Sequence, residues 1–375
     1  MKVLHVVESL DRGAVENWLV RMLEFAKRQG VRLDWTFYCT LAQPGLLEER
    51  ARHCGARIVH SPVPLAQPGA FISALRRELK RGDYDVLHCH HDLVSGIYLA
   101  ASVGLPIRRR LVHAHNSDES VLTPSPLKQR LYRPLLRGLC LAIADGFVGN
   151  SNHTLDTLLA GRLRRLGSDT VHYYGVDPSP FGVEAPDRAA FRRGLDLPED
   201  AIILLFGGRM TPEKNPVFTV DILAALRSIE PRTFAVFAGE GSEELAVVER
   251  AKLLGVGDSV RMLGWRSDLP NIMRNADWFI LPRPEHPKEG FGLAIVEAQL
   301  AGLRLLVSQG VPDDPFLATA SFRRLSLKAP AAEWAAAAVD LMADTAPSPT
   351  AAFQALRESP MDMNRALDDL IALQG

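Results

Sequence analysis

The sequence predicts an α/β protein made of two doubly wound parallel sheets in tandem. Three observations carry this reading. The chain has 375 residues, beyond the roughly 250–300 at which a single core stops growing. Short apolar, β-rich runs alternate with helix-patterned stretches from the N-terminus, as in βαβ units. The rhythm then restarts after Asp177, across a Pro- and Gly-rich segment, Asp177–Pro186, that reads as a linker.

In the first half the strand candidates are Val3–Val7, Leu33–Cys39, Arg57–His60, Val86–His90, Leu111–His115, Phe147–Gly149 and Val171–Tyr173. Between the first two, Val15, Trp18, Leu19, Met22, Leu23 and Ala26 recur at helix spacing behind a loop, Leu10–Ala14. In the second half the strand candidates are Ile202–Phe206, Phe234–Ala238, Val260–Leu263, Trp278–Leu281 and Leu305–Val307. Helices are predicted over Val217–Arg227, Glu243–Leu254, Leu293–Ala301 and Ala331–Leu341, with one or two more within Thr350–Leu373. The expected domains are 1–177, 178–345 and a C-terminal helical part, 346–375, whose last helix, Met363–Leu373, is expected to cross back to the first domain. Two such domains create a cleft, and ligands of open α/β sheets sit beyond the carboxyl ends of the strands.

Composition excludes several classes. Hydrophobic residues make up 47% and charged residues 23%, which is ordinary for a globular enzyme and unlike a disordered or fibrous chain. No apolar run reaches membrane-spanning length, and the short run Val3–Val7 reads as a buried strand and not a signal peptide. Cys39, Cys54, Cys89 and Cys140 form no CxxC pair, so the default is a reducing cytosol. The first 177 residues carry 23 Lys and Arg against 17 Asp and Glu; the remainder carries 20 against 27. The basic groups are Arg76, Arg77, Lys80 and Arg81; Arg108–Arg110; Lys128, Arg130, Arg133 and Arg137; and Arg162, Arg164 and Arg165. Two readings of them stay open: solvated helix faces, or a surface drawn to anionic lipid or a phosphorylated acceptor.

Two strand ends carry chemistry. Phe206–Asn215 (FGGRMTPEKN) follows a strand and precedes a helix. Gly207 and Gly208 let the backbone approach a ligand, while Arg209 and Lys214 supply the fork and the point charge that suit a diphosphate. Lys288–Gly302 (KEGFGLAIVEAQLAG) sets Glu289, Gly290, Phe291 and Gly292 before a helix that starts at Leu293 and contains Glu297. Amides at a helix start attract anions, and carboxylates accept from sugar and ribose hydroxyls. In the first half, His88, His90, His91, His113 and His115 gather at two neighbouring strand ends. The pairs His88/His90 and His113/His115 each share a strand face. A metal site there is the weaker reading, cleft-lining polar residues the stronger.

With these pieces the chain resembles family 4 retaining glycosyltransferases of GT-B fold, in the branch that builds exopolysaccharide or capsule. The resemblance rests on Gly13-Ala14-Val15-Glu16, DVLHCH at 85–90, VHAHN at 112–116, Gly175-Val176-Asp177, Gly207–Asn215, Ala238-Gly239-Glu240-Gly241, Leu263-Gly264-Trp265 and Glu289–Gly302, in that order up to about Pro312. It implies transfer of a sugar from a nucleotide-sugar, a UDP-sugar first, to a glycan or lipid-linked acceptor. Arg209 and Lys214 would hold the donor diphosphate. Glu289 would contact the sugar hydroxyls, with the backbone of Phe291–Leu293 nearby, and Glu297 would take the ribose. The backbone of Trp265 and Arg266 would face the base. His115 would stand near the reaction centre and Gly13 in the first glycine loop.

No catalytic metal, cofactor or nucleic-acid partner is implied, and the expected location is cytoplasmic, with peripheral contact at the inner face of the membrane. The family usually has two glycines where this chain has Gly13-Ala14, and often a Pro where it has Leu303–Val307 (LRLLV). Other GT-B enzymes, such as a sugar-nucleotide epimerase, and a silent nucleotide-sugar-binding protein are the rival readings. A nicotinamide dehydrogenase is disfavoured because Glu8–Gly13 lacks GxGxxG.

Overall fold

A computed structural model describes residues 1–11, 13–116, 126–182 and 186–375, with only the backbone course over 126–129. Arg12 of the first loop, the Lys128 side chain of the third basic group, and residues 183–185 of the expected linker lie outside the described residues. The chain forms two compact units: Met1–Gly175 with Pro360–Gly375, and Val176–Ser359.

The first unit holds a seven-stranded sheet: β1 Lys2–Val7, β2 Asp34–Cys39, β3 Arg57–His60, β4 Val86–Cys89, β5 Arg109–Ala114, β6 Gly146–Gly149 and β7 Thr170–Val171. Its order is β3-β2-β1-β4-β5-β6-β7, and every pair is parallel. The order reverses between β1 and β4, which opens a crevice at their carboxyl ends. The central strands are buried along their length, as continuous apolar runs require when helices cover both faces. His5 of β1 is an exception in kind; it is fully buried and in register with His88 of β4.

The second unit repeats the plan with six strands: β8 Ile202–Gly207, β9 Thr233–Ala238, β10 Val260–Met262, β11 Trp278–Leu281, β12 Arg304–Ser308 and β13 Phe322–Leu325. The order is β10-β9-β8-β11-β12-β13, all parallel, with the reversal between β8 and β11. Trp278 and Trp334 anchor its core, each almost wholly buried.

Several details depart from the sequence reading. The strands β4 and β5 end at Cys89 and Ala114, so His90 and His115 stand just past the ladder. Strand β13, with Arg323 and Arg324 at its centre, was not anticipated; an edge strand has no need of a continuous apolar run. The unit boundary falls after Gly175 and not after Asp177, and residues 346–375 do not act together. The helix Pro349–Glu358 stays with the second unit, where Pro349 lies so close over Gly302 that an added Cβ would come within 3.0 Å. Only the last helix, Met363–Gln374, belongs to the first unit. It buries Met363, Ala366, Leu367, Leu370, Leu373 and Gln374, one face of a 3.6-residue repeat. Gly175 makes this possible, since a Cβ there would meet Met363 and Ala366 at 2.8 and 2.9 Å.

Candidate active site

In the second unit, the crevice between β8 and β11 gathers charge. Lys214 ends a short 3-10 turn, Pro212–Lys214. Asn215 then takes a left-handed conformation (φ 53°) and starts the helix Pro216–Ile229. Its side chain donates to the Pro282 carbonyl at 3.1 Å, tying the loop after β8 to the end of β11. This tie brings Lys214 Nζ to 2.6 Å from Glu289 Oε2. Arg283, just beyond β11, approaches the same oxygen at 3.2 Å. Arg283 as a residue is 8% exposed, and its guanidinium is fixed by the carbonyls of Pro287 and Lys288 at 3.1 and 3.2 Å.

Burial alone would push the Glu289 carboxyl up. Lys214 and Arg283, with a smaller contribution from Arg209, outweigh it and hold the group below the usual glutamate range. Glu289 is therefore a carboxylate, an acceptor-only group, at neutral pH. Arg209 itself is exposed at the end of β8. Arg209 and Arg283 also help to hold the neighbouring Glu213 carboxyl low.

The glycines around it have steric reasons. Gly208 and Gly239 take φ of 145° and 152°, and a Cβ on Gly239 would fall 1.9 Å from the Gly208 carbonyl oxygen. Only glycine lets the ends of β8 and β9 come so close. Gly292 (φ 92°) turns the chain into the helix Leu293–Leu300. Gly290, Phe291 and Gly292 are buried, and Glu297 lies on that helix, part-buried. Gln299 locks the helix to the following loop through the Pro315 carbonyl and the Leu317 amide, at 2.9 and 2.8 Å. Trp265 is half exposed and its amide reaches Glu240 Oε1 at 3.3 Å, while Arg266 is engaged by Asp268.

The remaining candidates, Gly13 and His115, belong to the first unit. Gly13 caps the helix Ala14–Arg28 with an extended backbone, and its carbonyl accepts from the amide and side chain of Asn17 at 3.1 and 2.9 Å. An open pocket at the strand ends is bordered by Glu8, Thr40, Ser61, His91, Asp92 and Asn116. Asp92 organises one wall. Its carboxylate accepts from the His115 and Asn116 amides at 2.8 and 3.3 Å and from the Asn116 side chain at 2.9 Å.

The His115 side chain does not line this pocket as a free acid or base. It is buried, with Nε2 at 2.9 Å from His90 Nδ1 and Nδ1 at 2.7 Å from the Tyr174 hydroxyl. Burial, followed by His91 and His172, lowers its pKa to about 3, so it is a neutral ring at pH 7. The alternating histidines form one buried network, in which His5 Nδ1 meets His90 Nε2 at 2.9 Å and His88 Nε2 meets His113 Nδ1 at 3.2 Å.

Nitrogens of His5, His88 and His90, and of His90, His113 and His115, lie within 4.8 Å of one another, as do ligand atoms of Cys39, Glu48 and His60. The linked ring nitrogens sit closer than the roughly 3.3 Å edge of a tetrahedral zinc site, so hydrogen bonds between rings account for this spacing. Glu48 is likewise engaged by the Gly45 amide, Arg52 and His60.

Arg283, Asp92 and Gln374 escaped the sequence reading. Arg283 and Asp92 each follow a strand within two or three residues, which was the available signal. Gln374 occupies a position on the apolar stripe of its helix, where a polar residue is conspicuous.

Two parallel doubly wound sheets, each with its own strand-end crevice, are the class of architecture called GT-B. Residues 187–353 match the family profile described as Glycosyl transferases group 1, and residues 15–179 that of Glycosyltransferase Family 4. The D-inositol 3-phosphate glycosyltransferase of Streptomyces scabiei is 30% identical over 82% of this chain and 74% of its own. A putative glycosyltransferase of Bacillus subtilis, EpsF, is 28% identical over 89% of this chain and 86% of its own. The chain therefore belongs to the family 4 glycosyltransferases. Several further D-inositol 3-phosphate glycosyltransferases align over little more than half of their own length. Crystal structures of Anabaena Alr3699/HepE in complex with UDP and with UDP-glucose share the fold, with TM-scores of 0.78 and 0.77 over 99% of this chain and 98% of theirs, at 19% and 20% identity.

Proposed function

We propose that this protein is a retaining hexosyltransferase that moves a sugar from a UDP-sugar to a glycan or lipid-linked acceptor without a catalytic metal. The carrying observation is the Lys214–Glu289–Arg283 cluster at the β8/β11 reversal, with Arg209 near enough to act on Glu289. Glycosyl transfer builds negative charge on the departing diphosphate. Preorganised cations at that point stabilise the transition state more than the ground state. In this reading Arg209 and Lys214 meet the diphosphate and Arg283 holds Glu289, whose carboxylate accepts from donor-sugar hydroxyls. Glu297 takes the ribose, backbone at Trp265 and Arg266 faces the base, and Gly13 serves the phosphate and acceptor side. His115 positions the end of β5 through its backbone and buried ring. Retention of configuration follows from the family resemblance, and the HepE complexes favour uridine.

A panel of nucleotide-sugars in a thermal-shift assay tests the donor. One UDP-sugar is expected to raise the melting temperature, by about 2.7 kcal/mol of stabilisation at a hundredfold excess over Kd, and to be consumed when acceptor is added. Epimerised nucleotide-sugar formed without acceptor, or binding with no turnover on a broad acceptor panel, would overturn the transferase reading.

The same reading puts the enzyme in the cytoplasm, peripheral at the inner face of the membrane. No described helix is long and apolar enough to cross a membrane. Leu131, Tyr132, Leu135, Leu163 and Leu166 are exposed among Arg130, Arg133, Arg162, Arg164 and Arg165, a mixture that suits an anionic lipid surface. Flotation with anionic vesicles is expected and should weaken with salt; flotation insensitive to lipid charge and salt would refute it.

A further inference from the structure

The penultimate residue of the chain, Gln374, is fully buried in the first unit. Its Nε2 lies 3.4 Å from His5 Nε2 and 3.2 Å from His88 Nδ1. Two lines of hydrogen-bonded rings start from those two nitrogens. One runs His5, His90, His115 and then the Tyr174 hydroxyl, with steps of 2.9, 2.9 and 2.7 Å. The other is the single step from His88 to His113 at 3.2 Å. Burial keeps all five rings neutral, so each has one N–H and one lone pair.

From these contacts we infer that Gln374 sets the tautomer of every ring in the network, including that of His115 at the end of β5. The primary amide has two N–H groups, and both face ring nitrogens, which must then be acceptors. His5 consequently carries its proton on Nδ1 and donates to His90 Nε2. His90 donates from Nδ1 to His115 Nε2, and His115 donates from Nδ1 to the Tyr174 oxygen, which also accepts from Asn150 at 3.2 Å. In the second line His88 donates from Nε2 to His113 Nδ1, which leaves an N–H on His113 Nε2.

Among the described residues this arrangement leaves the Gln374 carbonyl and one imidazole N–H of His113 without a hydrogen-bond partner. The opposite amide orientation would leave two amide N–H groups and one imidazole lone pair bare. Buried bare donors are the costlier kind, so the first orientation wins. Gln374 is thus a positioning residue acting through His115 on a strand end whose amide is held by Asp92. This goes beyond the donor chemistry and does not depend on it.

Nitrogen-15 NMR of the full-length protein tests the assignment, since protonated and bare imidazole nitrogens differ widely in chemical shift. The wild type is expected to show His5, His90 and His115 as Nδ1–H tautomers and His88 and His113 as Nε2–H. Gln374→Glu replaces two amide N–H groups by a carboxyl with at most one proton, so at least one of the two lines of rings should reverse its tautomers. Gln374→Leu removes both donors and should give mixed tautomers. A wild-type His115 protonated on Nε2 would overturn the inference without any variant. Tautomers unchanged in a folded Gln374→Glu or Gln374→Leu protein would overturn it as well.

Discussion

Lys214→Ala is expected to lower kcat/KM for the nucleotide-sugar donor by about 10²–10³-fold, the usual effect of deleting one preorganised contact to a developing anion. The physical reason is local. Lys214 is held 2.6 Å from Glu289 by a loop that Asn215 ties to Pro282, so its ammonium is fixed before the donor arrives. Removing it subtracts one of three cations and leaves Glu289 with Arg283 at 3.2 Å. Because that partner remains, the cost to folding should be smaller than for an orphaned buried charge, about 1–3 kcal/mol. Steady-state kinetics on donor and acceptor, with a melting curve on the same sample, separates the two effects. A folded variant with wild-type kcat/KM would remove Lys214 from the donor site. An inactive but unfolded variant would be answered by Lys214→Arg, which keeps the charge and should recover part of the activity.

The second large effect concerns acid. His5, His88, His90, His113, His115 and His172 are buried, and burial depresses all six, His5 and His115 to about 3. In the unfolded chain they titrate near the ordinary value of about 6.5. Below that pH the unfolded chain takes up protons that the folded chain refuses. The stability they contribute is therefore complete above about pH 6.5. It drains as pH falls, and for His5 and His115 the loss continues down to about 3. Each ring costs about 1.4 kcal/mol per pH unit once well below its unfolded value. His5, His88, His90, His113 and His115 together remove on the order of 5 kcal/mol between pH 6.5 and 5.5, comparable with the whole stability of a domain.

The first unit should accordingly unfold near pH 5, with an uptake of several protons. Carboxylates held low by partners, such as Asp169 beside Arg165 and Arg162, act only at lower pH. Urea midpoints followed by circular dichroism from pH 8 to 5 give the proton uptake from their slope. A midpoint flat to pH 5 would show that the rings are not buried as neutral groups.

Much of the fold was legible because its driving term is local. Trp278–Leu281 and Ile202–Phe206 are short apolar runs, the first between Asp277 and Pro282 and the second ending at Gly207-Gly208, and a strand covered on both faces demands such runs. The short edge strands were harder. For β7 the apolar start of Val171–Tyr173 was enough to mark a strand, though the ladder covers only Thr170–Val171, whereas the Arg-centred β13 carries too little apolar pattern to stand out. In the candidate site, the glycines and charges after β8 and before the helix Leu293–Leu300 could be read from spacing. Arg283 could not, since its role comes from a proline-flanked turn that folds its guanidinium back onto Glu289. The histidines were visible as alternating pairs, yet their pattern was silent on whether the rings face solvent or one another.

Reading along the chain was enough for the two tandem parallel sheets, the strand ends where charge gathers, and the residue types at the β8/β11 crevice. Periodicity and turn chemistry act over a few residues and are written in the local order of the chain. Long-range packing is what brings Lys214 and Arg283 to one oxygen of Glu289, buries His115 with both nitrogens engaged, and closes the first unit with the last helix. The His5–Gln374 contact joins residues 369 positions apart. No local preference specifies such a pair; it exists because the docked helix must bury its polar residue against groups able to bond with it.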